Sequence, residues 1–281
     1  MTILGHIPRN EEIPTLPFCV VVPGTSFVGI HLNQYSPDQL SNSIPYFASK
    51  AGQLVAKGMT PVWSVPLPGK GNLDATNVGV FDGIWYRVGR NMAAVQPIGP
   101  LYARIAWEFG FEWQENAARH GGQWNPALYA RAFRRIVGGI RAGANGRQVI
   151  ILWSPAIGDQ GFDPLLAYPG DEWVDWVTPD FYMGASFGNK PGDFNYFRDH
   201  AFGLKHVFDF AAAHKKPIGF AELGFQGDEY LADATATFDL LASYSVPTKL
   251  VLIWDRPEVI DTTVSNGSKP ALTALYAARA G

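Results

Sequence analysis

Two glutamates stand out by where they fall. Glu108 closes the apolar run LYARIAW and Glu222 closes PIGFA, and each is followed two residues later by glycine, in WEFG and AELG. A carboxylate at the end of a buried strand is costly unless it has a partner or a task. A lone one can cap the next helix or pair with an arginine, but two in matching contexts on separate strands point to chemistry. Two carboxyls of unequal proton affinity are the equipment for cleaving a glycosidic bond: one protonates the departing oxygen while the other attacks the anomeric carbon or activates water. Arg104 lies four residues before Glu108. That even spacing predicts both on one face of a strand, where the cation either holds a carboxylate ionised or pairs with some other acid. Tyr182 after WVTPDF, Trp254 after KLVLI and His31 at the end of an early apolar run occupy further strand ends.

Strand ends bring side chains together only if the strands themselves lie side by side. Short β-branched or aromatic runs alternate here with longer amphipathic segments, the pattern of βα units around a parallel sheet. Strands are predicted near Phe27 to His31, Thr60 to Val65, Leu101 to Trp107, Gln148 to Trp153, Val174 to Tyr182, Pro217 to Ala221 and Leu250 to Trp254. Helices are predicted over Asp38 to Ala56, Pro126 to Ala142, Phe197 to His214, Leu231 to Ser243 and Ser268 to Arg279. An eighth strand is expected between Val65 and Leu101, around Val78 to Phe81 or Ala94 to Pro97, where Gly and Pro blur the pattern. A chain of 281 residues is long enough for one large core, so the expected fold class is α/β, a single-domain (β/α)8 TIM barrel. Residues 1–24 read as an irregular N-terminal arm of that domain, residues 25–281 as the catalytic barrel. Active sites of such barrels lie at the C-terminal ends of the strands.

Composition removes other classes of function. The net charge of -3, the pI near 6.1 and scattered Lys and Arg give no basic field, which argues against nucleic acid as a partner. Cys19 is the single cysteine, so neither an intramolecular disulfide nor a paired-Cys zinc site is possible. The six His form no H-E-x-x-H, and neither a metal nor a cofactor is expected. Apolar runs such as Cys19 to Val22 are too short to span a bilayer. The N-terminal stretch lacks a basic segment followed by an apolar one, so no signal peptide is expected in this numbering; a secreted or periplasmic protein stays compatible with a trimmed sequence. The expected state is a monomer whose partner is a polysaccharide or oligosaccharide.

The segment RIAWEFGFEW resembles the acid/base region of glycoside hydrolase family 26, roughly R-P-x-H-E-x-N-G-x-W, with Arg104, Glu108 and Trp113 matching in kind. WSPAIGDQGFDPLLAYPGDEWVDWVTPDFY, ending at Tyr182, resembles W-S-P followed by Y-P-G-D-x-x-V-D-x-x-G-x-D-x-Y. KPIGFAELG, from Lys216 to Gly224, is similar to the nucleophile segment K-P-x-x-x-x-E-x-G. The resemblance covers about the C-terminal two-thirds of the chain. It implies a barrel with the acid/base, Glu108, after strand 4, the nucleophile, Glu222, after strand 7, and retention of configuration. Tyr182 would hydrogen-bond the nucleophile and Trp254 would form the aromatic floor under a sugar. Members are chiefly β-mannanases, with some β-1,3-xylanases and mixed-linkage glucanases. Trp107 stands where the family usually has His, and Ala156, Thr178 and Ala221 where it more often has Asn, Gly and Thr. These differences leave the substrate open between β-mannan, another β-glycan and a bacterial exopolysaccharide.

The 9 Trp exceed what core packing usually needs, and aromatic faces suit sugar rings. Trp113 and Trp124, in the Gly-rich loop after Glu108, are the expected sugar platforms; Trp85 and Tyr86 are further candidates, while Trp173 and Trp176 are expected to pack beneath strand 6. Gly184-Ala185-Ser186-Phe187-Gly188 fits the G-x-S-x-G of a serine esterase, with His206 or His214 downstream, but Asn189-Lys190-Pro191-Gly192 follows where that motif requires a helix. Pro68-Gly69-Lys70-Gly71 lacks the flanks of a phosphate loop. A barrel that binds glycan without cutting it is the alternative of a different class.

Overall fold

The computed structural model describes residues 3–158, 160–258 and 260–280. The fold class is α/β, a (β/α)8 barrel. Its parallel strands are β1 (Ile3–Ile7), β2 (Phe27–His31), β3 (Thr60–Val65), β4 (Leu101–Ile105), β5 (Val149–Trp153), β6 (Trp176–Val177), β7 (Asp180–Met183), β8 (Ile218–Phe225) and β9 (Thr248–Trp254). The main helices are α1 (Pro37–Ala56), α2 (Asp82–Val95), α3 (Pro126–Gly143), α4 (Leu204–Ala213), α5 (Leu231–Ser243) and α6 (Pro270–Arg279). β6 and β7 are two pieces of the strand expected at Val174 to Tyr182. Pro179 between them has no N–H to give a ladder. Among the described residues no helix is long and apolar enough to cross a membrane.

The strands fall into two compact units, one running to Gly29 and resuming at Trp176, the other spanning Ile30–Asp175. In the first, β1 pairs with β9 from Ile3↔Leu250 to Ile7↔Trp254 and with β2 at Gly5↔Phe27. The start of the chain is therefore a barrel strand, not an irregular arm, and it is the strand sought between Val65 and Leu101. Its sequence hid it: Gly5 and His6 interrupt the aliphatic alternation of ILGHI. Both are structural. A Cβ at Gly5 would lie 2.5 Å from the Phe27 carbonyl oxygen and from Leu252 Cδ2, so only glycine lets β1 fit beside its neighbours. His6 is fully buried and stacks on Phe18 with centroids 4.7 Å apart. Burial pushes its pKa down to about 3, so it enters the core as a neutral ring.

In the second unit, β3, β4 and β5 pair in parallel through Val62↔Tyr102 and Leu101↔Val149. α3 begins where expected because Pro126 sits in its first turn and the Asn125 side chain accepts from Leu128 N at 3.0 Å. Leu128, Ala132, Ile136 and Ile140, four apart, with Phe133 three before Ile136, form its buried face. The region between Val65 and Leu101 holds α2 rather than a strand. It packs backbone to backbone on α3: a Cβ at Gly89 would meet the Ile140 carbonyl at 2.0 Å, and one at Gly143 the Tyr86 carbonyl at 2.0 Å. Val78 and Val80, read as possible strand residues, lie in an exposed turn before α2. The helix expected over Phe197 to His214 is interrupted, Phe194–Asp199 and then α4, with Gly203 at the junction.

Candidate active site

In the first unit the site is built on β8. Relative to β9 the pairing runs Phe220↔Val251 and then Leu223↔Ile253, three residues against two. The strand expected to stop at Ala221 runs on to Phe225, and the resulting bulge falls inside it at Ala221 and Glu222, a device that re-aims a side chain. Glu222 is buried, 5% exposed, and its carboxylate accepts a hydrogen bond from the Tyr182 hydroxyl. The register explains how the two meet. Tyr182 pairs with Gly224 and Asp180 with Glu222, and Glu222 and Gly224 share a face of the strand. A Cβ at Gly224 would be 2.7 Å from Tyr182 Cδ1, so the tyrosine ring lies over the space that glycine leaves. The Gly two residues after Glu222 is therefore part of the site. Trp254, half-buried at the end of β9, meets Tyr182 edge-on at 6.3 Å. Its ring lies 4.8 Å from the Arg256 guanidinium, which is anchored to the Pro8 carbonyl at 2.6 Å.

In the second unit the strand ends sooner than expected. β4 stops at Ile105, and both Ala106 (φ 43°) and Glu108 (φ 54°) take the left-handed conformation, a strained state for side-chain-bearing residues that collects at functional sites. Arg104 and Glu108 thus do not share a strand face; the even-spacing argument fails because the alternation ends at Ala106. The turn is held by the Tyr129 hydroxyl on the Ala106 carbonyl at 2.6 Å and by Glu108 N on the Ser154 carbonyl at 3.0 Å. The Glu108 carboxylate accepts from Gln114 Nε2.

Arg104 is fully buried. It donates to His31 Nε2 at 3.1 Å, so within this pair the imidazole accepts at Nε2 and carries its proton on Nδ1. The same guanidinium lies 4.7 Å from the Trp107 ring, and Trp107 meets His31 edge-on at 5.2 Å. Arg104, His31 and Trp107 form one packed group. Trp107, 5% exposed, turns little of its surface outward, whereas Trp113 is 65% exposed and stacks on Phe111 at 5.5 Å. Trp124 is half-buried between Phe162 and the Arg119 guanidinium, 5.2 Å from its ring.

Two aromatics considered for sugar contact, Trp85 and Tyr86, lie elsewhere, as does Trp173. Trp85 is fully buried on α2. Tyr86 and Trp173 line a groove of about 710 Å³ on the outer faces of α2 and α3, together with Asp82, Arg131, Arg134 and Arg135. Trp173 therefore does not pack under a strand, and Trp176 is itself a buried residue of β6. Ser186 is exposed on a single 3-10 turn with no helix following it, which removes the nucleophile elbow. Two further residues stand beside the candidate carboxylates, one in each unit. Asp180 is 2% exposed and in register with Glu222; its place two residues before Tyr182 was a usable signal. Gln114 had none, because it sits in a loop without periodicity.

No protein-family profile matches the sequence. A 1,4-α-glucan branching enzyme of Frankia casuarinae is 22% identical over 231 residues, 75% of this chain, and the match spans 27% of that protein's length. Solved structures are similar over nearly the whole chain. An endo-β-1,4-mannanase of Cellulomonas fimi superposes with a TM-score of 0.74 at 15% identity, covering 99% of this chain and 70% of that one. A family 26 β-mannanase of Bacteroides ovatus gives 0.71 at 15% identity, over 99% and 88%. A family 26 endo-β-1,4-mannanase of a Bacillus species gives 0.68 at 15%, over 99% and 85%. The chain has the fold of the family 26 mannanases.

Proposed function

We propose that this protein is a retaining glycoside hydrolase that cuts internal β-linkages of a polysaccharide, with Glu222 as nucleophile and Glu108 as acid/base. The observation that carries the reading is the Tyr182 hydroxyl on the buried Glu222 carboxylate at the bulge within β8. A donated hydrogen bond stabilises a carboxylate's negative charge and fixes which oxygen faces outward, as a nucleophile requires. In the first step Glu222 attacks the anomeric carbon while Glu108 gives its proton to the leaving oxygen. In the second, Glu108 takes a proton from water, which displaces Glu222 and restores the original configuration. Trp254 and, in the second unit, the exposed Trp113 supply aromatic faces for sugars.

β-Mannan is the first candidate substrate, given the fold shared with the mannanases; β-1,3-xylan, β-glucan and a bacterial exopolysaccharide come next. Likeness to a branching enzyme fits the same broad class, since moving a glucan branch also breaks a glycosidic bond. Release of reducing ends across a panel of these polysaccharides tests the proposal. Turnover of at least one, abolished in Glu222→Ala, supports it. Tight binding to a panel member without any release would instead make the protein a glycan-binding barrel.

A further inference from the structure

The acid/base carboxyl has two oxygens, and a proton on the wrong one points away from the leaving group. Gln114 bears on that choice. It is 5% exposed, and its amide orientation is fixed by its neighbour: Glu115 N donates to Gln114 Oε1 at 3.2 Å, leaving Nε2 to donate to Glu108 Oε2. An amide nitrogen has hydrogens and no lone pair to offer, so the oxygen it engages can only accept.

The loop is built to hold this amide still. Phe111 N bonds the Glu108 carbonyl and Gln114 N the Phe111 carbonyl, both at 3.2 Å, and Ala118 N returns to the Phe109 carbonyl at 2.8 Å. Asn116, fully buried, accepts from Leu67 N at 2.8 Å and so ties the loop to the segment after β3. Glu108 itself is locked at φ 54° by its bond to the Ser154 carbonyl. A buried donor on a doubly anchored loop, aimed at a carboxylate on a strained turn, is more than packing requires.

We propose that Gln114 is a positioning residue for Glu108: by occupying Oε2 as a donor it obliges the neutral carboxyl to carry its proton on Oε1, the oxygen from which the leaving group is protonated. This rests on the reading of Glu108 as acid/base. When the bond to the leaving oxygen breaks, the Oε1 proton passes to that oxygen, and the carboxylate so formed keeps its Oε2 bond to Gln114. In the second step the water proton returns to Oε1. Gln114 gains and loses no proton.

The test is the dependence of kcat/KM on the leaving group, measured with a series of aryl β-glycosides and the matching oligosaccharide, for wild type, Gln114→Met and Gln114→Glu. The Met variant removes the donor; the Glu variant keeps an acceptor for Glu115 N but sets a second carboxyl, able to share one proton with Glu108, against Oε2, and thermal unfolding of both variants checks the fold. The expected loss is about ten- to a hundredfold greater for the oligosaccharide than for dinitrophenolate, since only poor leaving groups need the proton. A loss of equal size for every leaving group in both variants, or no loss, overturns the proposal. Glu108→Ala is the control. A steep dependence there with a flat one in the Gln114 variants rejects Gln114 alone, while a flat dependence in Glu108→Ala rejects the acid/base assignment itself.

Discussion

The Tyr182 hydroxyl donates to the Glu222 carboxylate across neighbouring parallel strands, and the geometry depends on glycine standing opposite the tyrosine. Hydrogen bonds to ionised groups contribute about 1.5–3 kcal/mol, and one lost from a catalytic carboxylate appears in the rate. Tyr182→Phe should therefore lower kcat by about ten- to a hundredfold, with a smaller change in KM. Steady-state kinetics on the best polysaccharide of the panel checks this; kcat within twofold of wild type would contradict it.

Gly224→Ala should mimic that loss from a distance. The new methyl would lie 2.7 Å from Tyr182 Cδ1 and 2.7 Å from Thr262 Cγ2, so the ring must swing off Glu222. Destabilisation of about 1–3 kcal/mol by denaturant titration is expected, with kcat falling as in Tyr182→Phe. The double variant should lose less than the product of the two single losses, because both act through one hydrogen bond.

In the same unit, Gly5→Ala places a Cβ 2.5 Å from the Phe27 carbonyl oxygen, backbone that cannot turn aside. If β1 is a barrel strand, this one methyl should cost about 1–3 kcal/mol or more. In an irregular arm it would cost nothing measurable. Urea titration of the two proteins decides between them.

His6 makes stability fall in acid. Burial lowers its folded pKa from the ordinary 6.5 to about 3. Between those values the unfolded chain binds the extra proton. Stability is thus fully present above pH 6.5 and is lost as pH falls towards 3, by up to about 1.4 kcal/mol per unit. Other groups titrate there too, so the comparison is with His6→Phe, which keeps a ring against Phe18. The variant should lose less stability than wild type between pH 6.5 and 4; parallel curves would contradict this.

What could be read from the sequence was what periodicity and run ends report. The apolar runs before Glu108 and Glu222 stop at their carboxylates, and α5 keeps its expected bounds because Ala234, Thr237, Phe238 and Leu241 repeat at helical spacing. β1 was illegible because the two residues that fit it between its neighbours, Gly5 and His6, break the strand pattern. Arg104 and Glu108 were aligned on a strand that in fact ends at Ile105, since no sequence signal announces a left-handed Ala106. Trp85 and Tyr86, adjacent in sequence, point about 100° apart on a helix, one into the core and the other into the outer groove. Gln114 depends on loop geometry, which spacing does not encode.

The central claim, that Glu222 attacks the sugar and Glu108 handles the proton, is tested most directly by azide rescue of the two alanine variants on an activated aryl β-glycoside, reading the anomeric configuration of the glycosyl azide by NMR. Azide replaces the missing nucleophile in Glu222→Ala and attacks from the α face. In Glu108→Ala it attacks the glycosyl-enzyme from the β face. The account predicts the α-azide from Glu222→Ala and the β-azide from Glu108→Ala. The opposite pairing, or unimpaired hydrolysis by either variant, would contradict it.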